Sequence, residues 1–368
     1  MSQLDSRARA ALASLEGYRP GTPIEEVKRK YKLKSVIKLA SNENALGPSP
    51  KALAALKSAA GHLHRYPDAS CRLLKAKLAA RLKVDPSRIS VGNGSDELLV
   101  LSLRAFVDPG DEVVVAQPTF LIYELQAKAC GASVRVVPLR NLRYDLPAMK
   151  AAVTSQTKLV FIANPDNPTG SYVTQKELER FLEGLPASTL VVLDEAYFEF
   201  VAAKDYPKSI SMLDRFPLLV TRTFSKAYGL AGLRVGYAVG QPSVIAALAA
   251  VREPFNVNSL AQAAALAALD DKAFLAKVVR TVQQGMRFVT QSLDKLQLPY
   301  VPSVANFVLI DMGPRAAGVA QALLEQGIIV REMTAWKLSG YIRVTIGTME
   351  ENRRFVRALT HILKGRTQ

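Results

Sequence analysis

A lysine with hydroxyl and guanidinium neighbours is the first candidate for chemistry in this sequence. Lys226 follows an apolar, strand-like run at 218–221, and Thr223, Ser225 and Arg234 accompany it in the string TRTFSKAYGLAGLRVGYAVG. A partly desolvated lysine beside other cations can form a Schiff base, because its ammonium loses its proton more easily. Hydroxyl and guanidinium groups are suitable donors to a phosphate. A single lysine after a strand is usually solvated, so the prediction of a lysine nucleophile beside a phosphate site depends on the whole string.

A carboxylate follows another apolar run in VVLDEAYFEF. Asp194 comes directly after the run 190–193, and Tyr197 follows shortly after it. An aspartate after a strand is more often a helix cap. If both runs are strands of one parallel sheet, however, Asp194, Tyr197 and Lys226 reach the same edge, where active sites of such sheets lie.

Three further strings turn sharply after predicted strands. VGNGSDELL passes through glycines into an amphipathic helix, and open N–H groups at a helix N-terminus bind phosphate. Gly94, Ser95 and Asp96 are the candidates there, with the backbone N–H of Asp96 preferred to its carboxylate. FIANPDNPTG predicts a tight loop that carries Asn164. QPTFLIY carries Phe120, an aromatic ring that can stack on a flat ligand.

Together these strings resemble the class II aminotransferases, the fold-type-I family of pyridoxal-5′-phosphate (PLP) enzymes. The matching motifs are T-x-S-K followed by G-L-x-G-L-R-x-G, D-E-A-Y and N-P-x-N-P-T-G. The resemblance implies that Lys226 carries PLP as a Schiff base and later moves the substrate proton, and that Asp194 keeps the ring nitrogen protonated. It also implies that Asn164 and Tyr197 bond the ring oxygen. The implied phosphate and stacking contacts are Gly94, Ser95, Asp96, Thr223, Ser225, Arg234 and Phe120.

The resemblance covers nearly the whole chain, from EGYRPG to IRVTIGT, and is greatest to the members that act on histidinol phosphate. It implies histidinol phosphate as amino donor and glutamate with 2-oxoglutarate as the partner substrates. Arginine can hold a phosphate or a carboxylate through two parallel hydrogen bonds. The loop TAWKLSG, with Trp336 and Lys337, departs from the Y-G-L-P-type loop that is more common in this family. The implied substrate-binding residues are Tyr18, Asn44, Arg331 and Arg343.

The string HRYPD is similar to the R-Y-P element of the same family. In that family a tyrosine near this element extends into the phosphate site of the neighbouring subunit. The resemblance therefore implies a homodimer in which Tyr66 is a cofactor ligand across the interface.

Other functions remain as alternatives. An aminotransferase for aromatic amino acids, or a PLP decarboxylase of a phosphorylated amino acid, would use the same catalytic set. A PLP-dependent transcription regulator would need a helix-turn-helix module of roughly sixty residues ahead of the PLP domain, and only about thirty residues precede the first matching element. The net charge of +16 invites a nucleic-acid interpretation, but the basic residues are spread over the chain and the densest run, KRKYKLK, is short. We therefore expect no nucleic-acid partner.

The elements that must position these residues alternate along the chain. Strand-like runs at 88–91, 112–116, 133–138, 158–163, 190–193 and 218–221 are separated by helix-like segments, which predicts an α/β domain with a mostly parallel sheet covered by helices. The tail mixes strands at 307–310, 328–331 and 342–345 with helices, which predicts a smaller α+β domain. The predicted division is an N-terminal arm at 1–30 that packs with the small domain, a large PLP-binding domain at 31–265 and a small domain at 266–368. A continuous helix from near residue 259 could connect the two domains.

Composition limits the remaining classes. No uncharged apolar run is long enough for a membrane span, and the start of the chain has no secretion signal. Cys71 and Cys130 are the two cysteines, which favours reduced thiols and a cytoplasmic location. No cluster of cysteine and histidine has metal-ligand spacing, so we expect no metal.

Overall fold

The computed structural model describes residues 8–12, 15, 17 and 21–365. Its strands, in chain order, are β1 (Ile37–Lys38), β2 (Ile89–Gly92), β3 (Glu112–Gln117), β4 (Ser133–Pro138), β5 (Thr157–Ala163), β6 (Leu190–Asp194), β7 (Leu218–Thr223), β8 (Gly236–Val239), β9 (Tyr300–Val301), β10 (Phe307–Asp311), β11 (Ile328–Ile329), β12 (Arg331–Glu332) and β13 (Tyr341–Thr345). Its α-helices are α1 (Ile24–Tyr31), α2 (Pro50–Ala59), α3 (Arg72–Leu82), α4 (Ser95–Phe106), α5 (Ile122–Cys130), α6 (Leu146–Ala151), α7 (Gln175–Leu182), α8 (Pro242–Ala250), α9 (Ser259–Leu269), α10 (Lys272–Lys295), α11 (Ala316–Glu325) and α12 (Met349–Lys364).

Strands β2 to β8 form one large sheet in the order β2-β8-β7-β6-β5-β3-β4. Neighbours are parallel except at β8, which is antiparallel to both β7 and β2. Helices cover both faces of the sheet. Alternate side chains of each strand point to opposite faces and therefore enter two different apolar cores. In β6, for example, Val191 and Leu193 belong to one core, and Leu190 and Val192 to the other. The predicted α/β fold with a mostly parallel, helix-covered sheet is confirmed, and every strand predicted for it is present.

Strand β8 was not predicted from the sequence. Its four residues, GYAV, follow directly on the glycine-rich string that carries Lys226, and that string has the composition of a loop. The connection from β7 to β8, residues 224–235, contains no α-helix, and β8 returns as the antiparallel neighbour of β7. The missed strand lies between β7 and β2.

The C-terminal unit is built on a second sheet, antiparallel in the order β12-β13-β10-β9. The change of core lies within α10, since Leu275 packs against both cores whereas Val278 belongs to the core of the small unit. The helix before it, α9, packs against α2 of the large unit. The helical stretch that begins at Ser259 is interrupted before α10, where Asp271 caps the helix by accepting a hydrogen bond from the Phe274 N–H at 3.2 Å, and α10 itself runs unbroken through the change of core. The division of the chain into domains stays a prediction.

Segments before the large sheet contact both units. The Arg9 guanidinium donates to the Cys130 carbonyl of α5 at 3.2 Å. Val27 of α1 instead packs with Ile329 of the small unit, and β1 pairs in parallel with β11. Helix α1 and strand β1 therefore both contact the small unit, and the N-terminal arm at 1–30 stays a prediction. Among the described residues no helix is long and apolar enough to cross a bilayer.

A buried ion pair ties β7 to the end of β6. The Nε and Nη2 atoms of Arg222 each lie 2.8 Å from Oε2 of Glu195, and both side chains are buried. The guanidinium also lies 3.5 Å from the ring centroid of Phe198. Nearby, burial raises the pKa of Glu199 to about 7. Because Glu195 follows Asp194 and Arg222 precedes Thr223, the pair fixes the two strand ends that lead into the candidate site.

We expect Arg222→Met to reduce the free energy of unfolding by about 3–5 kcal/mol, because it leaves the Glu195 carboxylate buried without its cation. Replacing both partners, as Arg222→Met with Glu195→Leu, should recover most of that loss, since no uncompensated charge remains. Urea-induced unfolding of the two variants and the parent protein measures the difference. A double variant no more stable than Arg222→Met alone would contradict this account of the pair.

Candidate active site

A cavity of about 320 Å³ opens at the carboxyl ends of β5, β6 and β7. Side chains from separate parts of the sequence meet there because parallel strands deliver their following loops to one edge of a sheet. Ala163, Asp194 and Thr223 are the last residues of the three strands and all line the cavity. The residues predicted from sequence that line it are Ser95, Asp96, Phe120, Asp194, Tyr197, Thr223, Ser225, Lys226 and Arg234.

Lys226 lies in the loop after β7, half-buried in the cavity wall. Its Nζ donates to the Ser41 carbonyl at 3.2 Å and lies 5.7 Å from the ring centroid of Tyr197. The segment around Ser41 holds this loop closely. Gly229, at φ +69°, lies so near the Gly47 carbonyl that an added Cβ would be 2.3 Å from its oxygen. The Asn44 amide donates to the Ala227 carbonyl at 3.0 Å. Asn44, predicted to bind substrate, therefore fixes the lysine loop in this structure.

An anion cradle forms where α4 begins. Gly94 is the N-cap of α4 and no side chain caps the helix, so its first N–H groups are open to an anion. The Ser225 hydroxyl accepts from Thr223 at 3.0 Å and lies 3.4 Å from Nη1 of Arg234. Nη2 of Arg234 donates to the Asp96 carboxylate at 3.1 Å. The structure thus brings these hydroxyl, guanidinium and N–H donors together at one point, as the sequence predicted.

The absence of side chains at two glycines permits this cradle. A Cβ on Gly94, whose φ is +84°, would lie 2.7 Å from Nη2 of Arg234. A Cβ on Gly236, the first residue of β8, would lie 2.5 Å from the Ser95 nitrogen. Neither gap is large enough for a methyl group. The start of α4 can therefore approach β8 and Arg234 only because both positions are glycine.

Asp194 is a buried carboxyl whose hydrogen-bond donors are hydroxyl groups. Oδ2 accepts from the Tyr123 hydroxyl at 2.7 Å, and Oδ1 accepts from the Thr221 hydroxyl at 3.2 Å. Burial raises the pKa of Asp194 to about 6, although both hydroxyl bonds act in the opposite direction. A cation that enters the cavity would favour the ionised form of the Asp194 carboxyl and would be attracted to its negative charge. This is the electrostatic environment that a ligand with a protonated ring nitrogen requires.

Tyr197 is held by Asn42, a residue that the sequence analysis did not select. The Asn42 amide donates to the Tyr197 hydroxyl oxygen at 2.8 Å, and burial raises the pKa of this tyrosine to about 12. Asn42 is in turn fixed by Thr345 of β13, whose hydroxyl donates to its Oδ1 at 3.1 Å. The signal for Asn42 lies in the string NENALGP at 42–48, the same string that contains Asn44. The contact links the wall of the cavity to the small unit.

The loop after β5 presents Asn167, not Asn164, to the cavity. The Asn164 side chain is turned to the backbone of Val173, accepting from its N–H at 2.8 Å and donating to its carbonyl at 3.1 Å. Asn167 lines the cavity and accepts a hydrogen bond from Arg343. The geometry therefore favours Asn167 for the role predicted for Asn164. Both asparagines precede a proline in N-P-D-N-P-T-G, so spacing alone could not distinguish them.

A buried aspartate ties that loop to the one that carries Phe120. Asp166 accepts from the Thr119 hydroxyl at 2.6 Å and from the Thr169 hydroxyl at 2.8 Å, and burial raises its pKa to about 6. Thr119 directly precedes Phe120, which lines the cavity and packs edge-on against Tyr123 with ring centroids 5.5 Å apart. Phe120 is thus in position to stack on a ligand, and its position depends on Asp166.

The two predicted arginines of the small unit lie opposite each other on β12 and β13. Trp336, buried beneath them, has its ring centroid 5.0 Å from the Arg331 guanidinium and 5.9 Å from that of Arg343. Arg343 is 5% exposed, and donates to Asn167 and, at 2.9 Å, to the Ala40 carbonyl. Arg331 lines an adjoining groove of about 1040 Å³. Arg343 thus contacts the cavity of Lys226 through Asn167, whereas Arg331 lines the adjoining groove.

The predicted ligand Tyr66 lies apart from the cavity. Tyr66 is 83% exposed and stacks on Phe255, which is 42% exposed, with ring centroids 4.6 Å apart. It does not line the cavity of its own chain. Tyr18 lies outside the described residues.

Comparison with known proteins gives consistent similarities. Residues 34–359 match the family described as aminotransferase class I and II. The chain is 48% identical to the histidinol-phosphate aminotransferase of Moorella thermoacetica over 97% of this chain and 93% of that protein. It is 47% identical to the enzyme of that name from a Geobacillus species, over 96% and 97%. The histidinol-phosphate aminotransferase of Sinorhizobium meliloti, solved in complex with pyridoxal-5′-phosphate, superposes with a TM-score of 0.90 at 32% identity, covering 98% of each chain.

The raised pKa of Asp194 predicts a pH-dependent cost to the ligand-free protein. The folded-state pKa of about 6 lies above the ordinary value of 3.8, so the folded protein favours the protonated carboxyl. Because the unfolded carboxyl ionises first, stability is lost as the pH rises from the lower to the higher of these pKa values, by about 1–3 kcal/mol in all, and does not fall further above them. We expect Asp194→Asn to become more stable relative to the parent as the pH rises from about 4 to about 7. Urea unfolding of both proteins at these pH values tests this, and a difference independent of pH would refute it.

Proposed function

This chain belongs to the aminotransferase class I and II family, and we propose that it transfers the amino group of L-histidinol phosphate to 2-oxoglutarate with PLP as its cofactor. The products are imidazole-acetol phosphate and glutamate, and the reaction is a step of histidine biosynthesis in the cytoplasm. The names of the similar proteins support this substrate. The observation that carries the proposal is the hydrogen bond from Arg343 to Asn167. It places a guanidinium, which can bind an anion, beside the cavity that contains Lys226.

The residues of the cavity fit PLP at each of its polar groups. The open N-terminus of α4, the hydroxyls of Thr223 and Ser225 and the Arg234 guanidinium suit a phosphate dianion. The buried carboxyl of Asp194 suits a protonated ring nitrogen. The phenol of Tyr197 and the amide of Asn167 suit the ring oxygen. Phe120 would stack on the ring, whose chemistry is to take up the negative charge left on the substrate carbon.

Lys226 has two roles in the proposed reaction. With PLP bound, its Nζ would hold the cofactor covalently, and the same Nζ, once released, would take the proton from the substrate carbon that carries the amino group. The Ser41 carbonyl, 3.2 Å from Nζ, holds the amine in the cavity. Asp194 would keep the ring nitrogen protonated, and the dry surroundings of its carboxyl would strengthen that interaction.

The substrate's anionic end belongs to the small unit. Histidinol phosphate carries a phosphate monoester, and glutamate and 2-oxoglutarate each carry two carboxylates, so one site has to accept both kinds of anion in turn. Arg331 and Arg343 can each offer two parallel N–H donors to either group. Tyr18 adds a phenol to this site, and Asn44 contributes by fixing the lysine loop through the Ala227 carbonyl.

The active enzyme is a homodimer in this proposal. Tyr66 and Phe255 form an exposed aromatic pair, and Leu63 and Leu73 nearby in sequence are 60% and 65% exposed. Exposed apolar side chains of this size favour contact with another protein surface. A second copy of the chain covering Tyr66 would bring its hydroxyl to the phosphate of the neighbouring cofactor.

Substrate selection tests the proposed function. We expect histidinol phosphate to be a far better amino donor than histidinol or phenylalanine, because an uncharged analogue leaves the arginines without their anion. Arg343→Lys should lower kcat/KM for histidinol phosphate and for 2-oxoglutarate together, by about ten- to a hundredfold, since an ammonium cannot reproduce the two parallel bonds. Single-turnover absorbance of each half-reaction gives the values. If phenylalanine or tyrosine reacts as fast as histidinol phosphate, the aromatic aminotransferase alternative is correct instead.

Mixing two inactive variants tests the proposed role of Tyr66. Lys226→Ala removes the proton-transfer amine and Tyr66→Ala removes the phosphate ligand, so each homodimer should be inactive. A heterodimer of the two has one site with both residues intact, and random exchange should restore about a quarter of the parent activity. Activity is measured after mixing under conditions that allow subunit exchange. No recovery despite proven exchange, or a fully active monomer, would rule out a ligand across the interface.

A further inference from the structure

Lys337 follows Trp336 in the loop between the two arginine strands, with φ +60° and ψ +29°. This left-handed conformation, which Lys32 and Lys83 also adopt, is one that glycine takes without strain. Glycine is therefore the replacement that removes the Lys337 side chain and keeps the backbone.

The lysine ammonium reaches from the small unit to the large one. Its Nζ donates to Oε1 of Gln117 at 3.0 Å, and Gln117 is the last residue of β3 in the large sheet. Both residues line the groove that also contains Arg331. The groove adjoins the cavity of Lys226, since Ala40 lines the groove and the next residue, Ser41, lines the cavity.

The other charged groups of the groove leave room for a further anion contact. Glu124 accepts from Lys128 at 2.5 Å and from the Gln117 amide at 3.3 Å, and Glu332 accepts from Thr334. These acids are already bonded within the protein. Lys337 is exposed and, in contrast, donates to the neutral amide of the half-buried Gln117, a weak bond that it can exchange for a stronger one to an anion.

We propose that Lys337 is a specificity-determining residue, whose ammonium binds the substrate's phosphate together with the arginines. This inference rests on the proposed function. A phosphate monoester carries about two negative charges near neutral pH, whereas a carboxylate carries one. The two guanidinium groups can engage either anion through parallel hydrogen bonds. The ammonium adds a further positive point charge with freely rotating donors, and it therefore favours the anion with the larger negative charge, the phosphate.

Lys337→Gly provides the matched variant, because glycine keeps the left-handed backbone without strain and removes only the side chain. The readout is the ratio of kcat/KM for histidinol phosphate to kcat/KM for 2-oxoglutarate in the PLP-loaded enzyme. We expect this ratio to fall about tenfold, the loss of one charge-assisted hydrogen bond. Gln117→Leu removes the partner of Lys337 but leaves the ammonium, and it should not change the ratio.

Two results would overturn the role of Lys337. Either the ratio stays unchanged in Lys337→Gly, or Gln117→Leu lowers it equally, which would show that the bond between the two units is what matters. Binding of inorganic phosphate to the PLP-loaded protein, followed by calorimetry, separates this proposal from the proposed function. If histidinol phosphate is no substrate but Lys337→Gly weakens phosphate binding about tenfold, the proposed function fails and the phosphate contact stands. If phosphate binding is unchanged, the contact is refuted.

Discussion

The close approach of β8 to the start of α4 is the constraint on which the rest of the site depends. Because β8 runs antiparallel to both β7 and β2, those two strands point the same way and end at the same edge of the sheet. Gly236 lies between their ends, and a Cβ there would be 2.5 Å from the Ser95 nitrogen. The anion cradle is therefore a product of strand order: β2 supplies the turn at Gly94, β7 supplies Thr223, and the entry to β8 supplies Arg234.

Three buried acids lie near this edge of the sheet, and they differ in the groups that bond their carboxyl oxygens. Asp194 is bonded to hydroxyls, which leaves it to gain from a cationic ligand. Asp166 accepts hydrogen bonds from two threonine hydroxyls and so joins the loops of Phe120 and Asn167. Glu195 is neutralised by Arg222. Burial raises the pKa of Asp194 and of Asp166 to about 6, but of these three acids Asp194 alone lines the cavity, where a cationic ligand could reach it.

Sequence patterns predicted the parts of the molecule that are local. The strands that lead to Asp194 and Lys226 are apolar runs, and the residues directly after them had to reach one edge of the sheet. Features that depend on distant partners could not be read in this way. Asn164 and Asn167 are each followed by a proline, and the contacts that distinguish them are with the Val173 backbone and with Arg343. Strand β8 is too short to show a pattern, β1 belongs to the small unit only through pairing with β11, and a surface such as that of Tyr66 has no local signature of what covers it.

An aromatic ring helps to hold the two opposed arginines of the small unit together. Directly opposed cations on neighbouring strands repel each other, yet Arg331 and Arg343 are opposed on β12 and β13. The face of the Trp336 ring beneath them offsets part of this repulsion, since its negative quadrupole attracts both guanidinium groups. This attraction acts through the ring face and uses no N–H group as a hydrogen-bond donor to the ring. Trp336 therefore stabilises the positive charge of the pair that the proposed function assigns to the substrate's anionic end.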